Sequence, residues 1–246
     1  MTSIAPIALA IAFAGAAYAG GADLPSGTLS AGYAYGLNDG TSNIYGANGT
    51  LQIPVDLDWA AKTGFEAVGG YHRPDSGGMD FWYLGGALYA GGEPGRVAAN
   101  YTYHNMAGQG IHAYGAGAEW FVAPNATLAV RGGGLSRDHI DGGYVGAQGT
   151  WYLIPDFALS AGVDHLSVGY HETGETIQAE WLPSQTTPIS IYAGYQHLDY
   201  SVASADLIFA GVKLYLNGDG AATLADRQRQ GTNGYIVQSP KDLDQY

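Results

Sequence analysis

The chain has 246 residues and no cysteine, which excludes a disulfide scaffold and any thiolate metal site. Its 9 Lys and Arg face 22 Asp and Glu, a net charge of −13, and this argues against nucleic acid, whose binding needs a basic stripe. Charged residues are only 13% of the chain, against roughly 25% in an average soluble domain. Past the N-terminus no run of about 18 apolar residues occurs, so the low charge does not come from membrane helices.

In chain order, the first element is an export signal. Ile4–Ala17 is almost wholly small or apolar, and Ala17-Tyr18-Ala19 fits the small-residue cleavage rule. Residues 1–19 are therefore expected to be a signal peptide, although Met1-Thr2-Ser3 lacks the usual basic residue. The mature chain would begin near Gly20.

From there to position 216 the sequence alternates with period 2, the signature of strands with one apolar face. About twelve strands are predicted, each close to the length a tilted strand needs to cross a bilayer. They cover 27–36, 43–53, 58–71, 80–90, 96–104, 111–121, 127–135, 144–154, 157–168, 175–182, 188–198 and 206–216. The clearest is 144–154, where Val145, Ala147, Trp151 and Leu153 alternate with Tyr144, Gly146, Gln148, Thr150 and Tyr152. Connections at one end are short and often carry proline, as at Ala123-Pro124-Asn125 and Pro155-Asp156. At the other end they are expected to be wider and charged, as at Ser136–Gly143, and rich in Gly, Asp and His. An even strand count leaves both chain ends on the short-turn, periplasmic side.

Charge placement tests this reading. The alternation of each strand puts Lys62, Glu66, Arg96, Glu119, Arg131, Asp164, Glu180 and Lys213 on the inward face. A lipid-facing Arg or Lys at mid-depth would cost roughly 2–4 kcal/mol. A soluble sandwich, by contrast, would turn such groups outward. Aromatic residues add a second test. Trp59, Trp120, Trp151 and Trp181 lie near short turns, while Tyr35, Tyr45, Tyr71, Tyr101, Tyr103, Tyr114, Tyr144, Tyr170 and Tyr195 gather towards the wider connections. Amphipathic rings prefer those two interfaces. The fold expected is all-β: a transmembrane antiparallel up-and-down barrel over residues 20–216, followed by a polar periplasmic tail, 217–246.

Gly211-Val212-Lys213-Leu214-Tyr215-Leu216 resembles the C-terminal signal by which outer-membrane barrels are recognised for insertion. The chain departs from that pattern by running on to Tyr246, through Thr223-Leu224-Ala225-Asp226-Arg227-Gln228-Arg229. With the export signal and the strand pattern, this tail is similar to small porin-like barrel proteins of alphaproteobacteria. The resemblance implies an outer-membrane setting and transfers no functional residues.

The inward charges balance in sign, and Glu119 and Arg131, on consecutive strands near one turn, are placed to pair. Many other inward positions are small, among them Thr28, Ser30, Gly32, Ala34, Gly46, Asn48 and Thr50. Two lumen readings stay open: a narrow diffusion channel whose inner charges set the constriction, or a plugged barrel in which the pairs satisfy one another. His72, His104, His112, His139, His165, His171 and His197 are expected at the wide-loop rim beside many carboxylates. A pH response or divalent-cation binding there is open, but no pair has tight metal-ligand spacing. One further constellation, His165-Leu166-Ser167, would face lipid and is similar to the His and Ser of outer-membrane phospholipases and lipid A deacylases, with Glu175 as a third member. The surrounding residues match neither family's longer motif. The function read from the sequence is thus passive passage of small solutes, without cofactor or metal, among outer-membrane lipids and lipopolysaccharide. A structural or adhesion barrel acting through its loops comes next, then a lipid-modifying hydrolase.

Overall fold

A computed structural model describes residues 25–38, 43–55, 62–75, 80–106, 108–137, 140–169, 171–201, 203–216, 223–230 and 234–237. The expected signal peptide, Trp59, His139 and Tyr170 lie outside the described residues. Twelve strands form a closed barrel in which every strand pairs with its neighbours in sequence and β1 pairs with β12. They are β1 (Ser26–Gly36), β2 (Ile44–Val55), β3 (Lys62–Pro74), β4 (Phe81–Gly92), β5 (Gly95–Met106) and β6 (Gln109–Ala123). The second half comprises β7 (Ala126–Arg137), β8 (Ile140–Ile154), β9 (Phe157–Ser167), β10 (His171–Trp181), β11 (Ile189–Tyr200) and β12 (Ser204–Leu216). All pairings are antiparallel, and the closing register Gly27↔Leu216 puts the first and last strand termini at one end.

Closure follows from the period-2 pattern. A sheet with an apolar outer face in lipid cannot leave an edge with unpaired N–H and C=O groups. The outer face is apolar and open to the surroundings: Val145, Trp151 and Leu153 are exposed, whereas their neighbours Tyr144 and Tyr152 are buried inside. Leu88, Val97, Ile177, Ile208 and Val212 repeat this outward arrangement on other strands. Such continuous apolar exposure would be an aggregation surface in water and is a solvated one in hydrocarbon. Trp120, Trp151 and Trp181 are exposed near the short turns, and Tyr35, Tyr45, Tyr101, Tyr114 and Tyr195 are exposed towards the opposite end. Tyr144 does not join that outer girdle; it turns into the lumen and is 5% exposed.

The expected difference in loop length is not found. The stretch Ser136–Gly143 is mostly strand, with Ser136 opposite Asp141 and Arg137 opposite Ile140, which leaves only 138–139 between the strands. β5 and β6 likewise continue to Met106↔Gln109. Polar composition there marks where the strands leave the hydrocarbon, and backbone pairing simply carries on into water. The β10–β11 connection, assigned to the short-turn end, is among the longer ones, since β10 stops at Trp181 and β11 starts at Ile189.

After β12 the chain forms two short helices, α1 (Leu224–Gln230) and α2 (Gly234–Val237). Thr223 caps α1: its hydroxyl accepts from the Asp226 N–H at 3.1 Å and donates to the Asp226 carboxylate at 2.7 Å. This reciprocal cap satisfies donors that a helix start otherwise leaves open.

Candidate functional site

Inward positions carry the ionisable side chains, and strand register brings their partners near. Arg96 on β5 lies directly opposite Glu119 on β6, and its Nε stands 2.6 Å from Glu119 Oε2. On β7 the residue opposite Glu119 is Ala129, two positions before Arg131. Arg131 instead reaches over β8 to Asp164 on β9, with Nη2 at 2.8 Å and Nε at 2.9 Å from Oδ1. The residue between them in register is Gly146. A Cβ there would sit 1.8 Å from Asp164 Oδ1, so the missing side chain is what lets the pair span a strand. Lys213 on β12 spans β11 in the same way to reach Glu180 on β10 at 2.8 Å, and Ser190 of β11 donates to Glu180 Oε1 at 2.6 Å. Glu66 is fully buried on β3, while Lys62 opens the same strand at the rim and is exposed.

The tail helices meet this charged belt. The Arg96 guanidinium donates to the Gln228 carbonyl at 3.0 Å, and that of Arg131 donates to the Tyr235 carbonyl at 3.0 Å. Arg131 also lies 4.0 Å over the Tyr235 ring, whose hydroxyl donates to Asp164 Oδ1 at 3.2 Å. Asn100 donates to the Ile236 carbonyl at 3.3 Å, and the Gln228 amide donates to Glu180 Oε2 at 3.2 Å. Helix carbonyls left open at C-termini are natural partners for such cations.

Apolar contacts complete the docking. Ile236 and Tyr235 pack with Val68, Tyr83, Ala87, Tyr89, Ala98 and Ala129 on the inner wall. Gly117 clears the way, since a Cβ there would lie 2.5 Å from the Ile236 carbonyl oxygen. Leu224 packs with Tyr152, Ala158, Leu182 and Tyr215. At the short-turn mouth Arg229 donates to the carbonyls of Ala123 and Ala126 at 2.6 and 3.0 Å, and Arg227 to that of Gln185 at 3.0 Å. The segment read from sequence as a polar periplasmic tail thus contains two helices held inside the barrel. Its signals were Leu224 and the apolar run Tyr235-Ile236-Val237, which a wholly solvated tail would not carry.

Towards the other end the inner wall changes character. Ile111, Leu135, Leu166 and Val168 cluster with Ala113 and Tyr144, and Leu198 packs with Ala205 and Leu207; each of the Leu and Ile residues is at most 2% exposed. These inward apolar positions were not anticipated from the alternation, which predicts face and not packing partner. Between this layer and the tail lies a polar cavity of about 160 Å³, bordered on one side by Thr28, Ser30, Thr50, Thr150, Ser160 and Gln178.

The described histidines all lie towards the same end of the strands, but they do not share one face of the wall. His104 is buried inside, its Nε2 2.9 Å from Thr102 Oγ1, and its ring lies 5.4 Å from that of Tyr83. His72 contacts Asn48 Oδ1 at 2.8 Å. His197 stays at the outer end beside Asp206 at 2.8 Å. Among the described residues no three metal-ligating side chains converge. The candidate His165, Ser167 and Glu175 do not assemble as a relay. His165 Nδ1 meets Thr173 Oγ1, its cross-strand partner, at 3.0 Å, and its ring stacks on His171. Glu175 stands opposite Val163 on that side. Register explains this: the residue facing His165 is two positions before Glu175.

With this geometry in hand, the chain can be compared with known proteins. No protein-family model matches it, and no curated protein matches its sequence. Solved structures do match in three dimensions. KdgM porin superposes with a TM-score of 0.52 at 7% identity, over 76% of this chain and 98% of that one. NanC porin gives 0.54 at 12% identity over the same shares. An outer-membrane channel from Pseudomonas putida F1 gives 0.55 at 9% identity, over 82% of this chain and 98% of that one. The fold is that of outer-membrane porins. At these identities the likeness is one of architecture, and residue roles have to come from this chain's own lumen.

Proposed function

We propose that the protein is an outer-membrane channel for passive passage of small solutes, exported with residues 1–19 as its signal and set among outer-membrane lipids and lipopolysaccharide. The observation that carries this reading is a polar, ion-paired interior inside a cylinder whose outer face is apolar. An interior meant only to be filled would be served by apolar side chains, since buried ion pairs recover their desolvation cost poorly. Lys62, Glu66, Arg96, Glu119, Arg131, Asp164, Glu180 and Lys213 are the candidate lumen charges. Of these, Arg96, Arg131 and Glu180 bind α1 or α2 and form the constriction together with them. Twelve strands lie between the filled eight-stranded barrel and the aqueous sixteen-stranded one, so a segment folded into the lumen has a large effect on its bore.

Planar-bilayer recording of the full chain and of a chain ending at Ala222 tests this. Discrete conductance steps are expected, larger in the shortened protein. Silence from both, with folding confirmed by heat-modifiable migration, would overturn it. A closed structural barrel acting through its loops is the second reading. It is favoured by the apolar layer of Ile111, Leu135, Leu166, Leu198 and Leu207, and silence is its expected result.

A further inference from the structure

We infer that the solute this lumen takes is a small, uncharged, polyhydroxylated molecule, recognised in the polar cavity beside the tail; the inference rests on the channel reading above. Tyr215 and Tyr235 close one part of the cavity wall, and the rest is polar. Its border supplies hydroxyls from Thr28, Ser30, Thr50, Thr150 and Ser160 and the amide of Gln178. These groups already form short cross-strand links, Thr28 to Thr50 at 2.9 Å and Thr150 to Ser160 at 2.9 Å. A hydroxyl can donate once and accept twice, so each link leaves further capacity facing the space.

Charge is present at the border but is cancelled there. Arg131 is held by Asp164 and by the Tyr235 carbonyl, and Lys213 is held by Glu180. Glu180 is in turn bonded by Ser190, Tyr215 and Gln228. The other buried acids, Glu66, Glu119 and Glu172, do not line the cavity. An entering anion or cation would therefore shed its water without meeting an opposite charge that is not already engaged, which is the costly way to bury an ion. A polyol sheds water too, but hydroxyl and amide partners replace each lost hydrogen bond. The cavity of about 160 Å³ is well above the roughly 10–15 Å³ that a single water needs, so a small polyol fits it.

The test is osmotic swelling of proteoliposomes carrying the full chain, in isosmotic erythritol, sodium lactate or ethanolammonium chloride. Erythritol is expected to enter at least tenfold faster than either charged solute. Equal entry of all three, or faster entry of a charged one, overturns the inference and leaves the channel reading standing. Entry of none, from a barrel shown to be folded, brings down the channel reading itself. Two pairs of variants sharpen the result. Asp164→Asn strands the Arg131 cation and should raise lactate entry over ethanolammonium, while Arg131→Gln should do the reverse. Glu180→Gln and Lys213→Gln repeat the comparison at an independent pair should the first pair not insert. A uniform loss of swelling in these folded variants, with no change in charge preference, also overturns the inference.

Discussion

The two sides of the lumen are built from the same kind of strand and do opposite things. On β3–β7 the inward residues include Val68, Tyr83, Ala87, Tyr89, Ala98 and Ala129, and α2 packs against them. On β8–β10, β1 and β2 they include many short hydroxyls and amides, and there space remains. The difference teaches that the period-2 rule settles which face a side chain occupies, whereas the size and polarity of inward residues settle whether the tail or solvent fills the place. Between the two sides stand Arg131 and Asp164, which hold the tail with one set of atoms and border the cavity with another.

The most direct way to break this arrangement is at Gly146. Gly146→Val inserts a side chain where Asp164 Oδ1 now lies, so Arg131 and Asp164 must separate. Breaking a buried pair costs on the order of 3–5 kcal/mol, to be read as a lowered temperature of the heat-modifiability transition. Val145→Arg, one residue away and on the lipid face, leaves both sides of the lumen intact. It should cost roughly 2–4 kcal/mol in reversible unfolding from detergent or lipid, which separates damage to the outside from damage within. Ile236→Ala acts on the aromatic side alone. Its truncation forfeits roughly 2–5 kcal/mol of packing, taken from tail docking and not from the barrel. The expected outcome is protease cleavage within 217–237 while the strands stay protected. Thr150→Val acts on the polar side alone, removing one hydroxyl link to Ser160. A net cost of about 0.5–1.5 kcal/mol is expected in barrel stability, with Ile236-dependent protection of the tail unchanged.

Much of the barrel was legible because bilayers impose a strict alternation. Val145 and Gly146 differ in face for that reason alone, and the inward side of Arg96, Glu119 and Arg131 could be read from their apolar neighbours. Partner choice was not legible. Glu119 lies near Arg131 in the chain, yet Arg96 faces it because β5 and β6 are in direct register at that pair. The loops were overestimated because Asp141 and Arg137 looked like solvent-facing turn residues. Strands that project past the hydrocarbon stay paired with polar side chains.

By itself the sequence determined the number of strands, the closure of the sheet and the outward face of nearly every strand, since each follows from local alternation and from the cost of exposing polar groups to lipid. Only the tertiary structure decided what occupies the interior. Whether Tyr235 and Ile236 meet Arg131, Gly117 and the tyrosine wall depends on residues more than a hundred positions apart arriving at one depth and one side of the cylinder. That coincidence is set by register and by the curvature of the closed sheet, which no local pattern records.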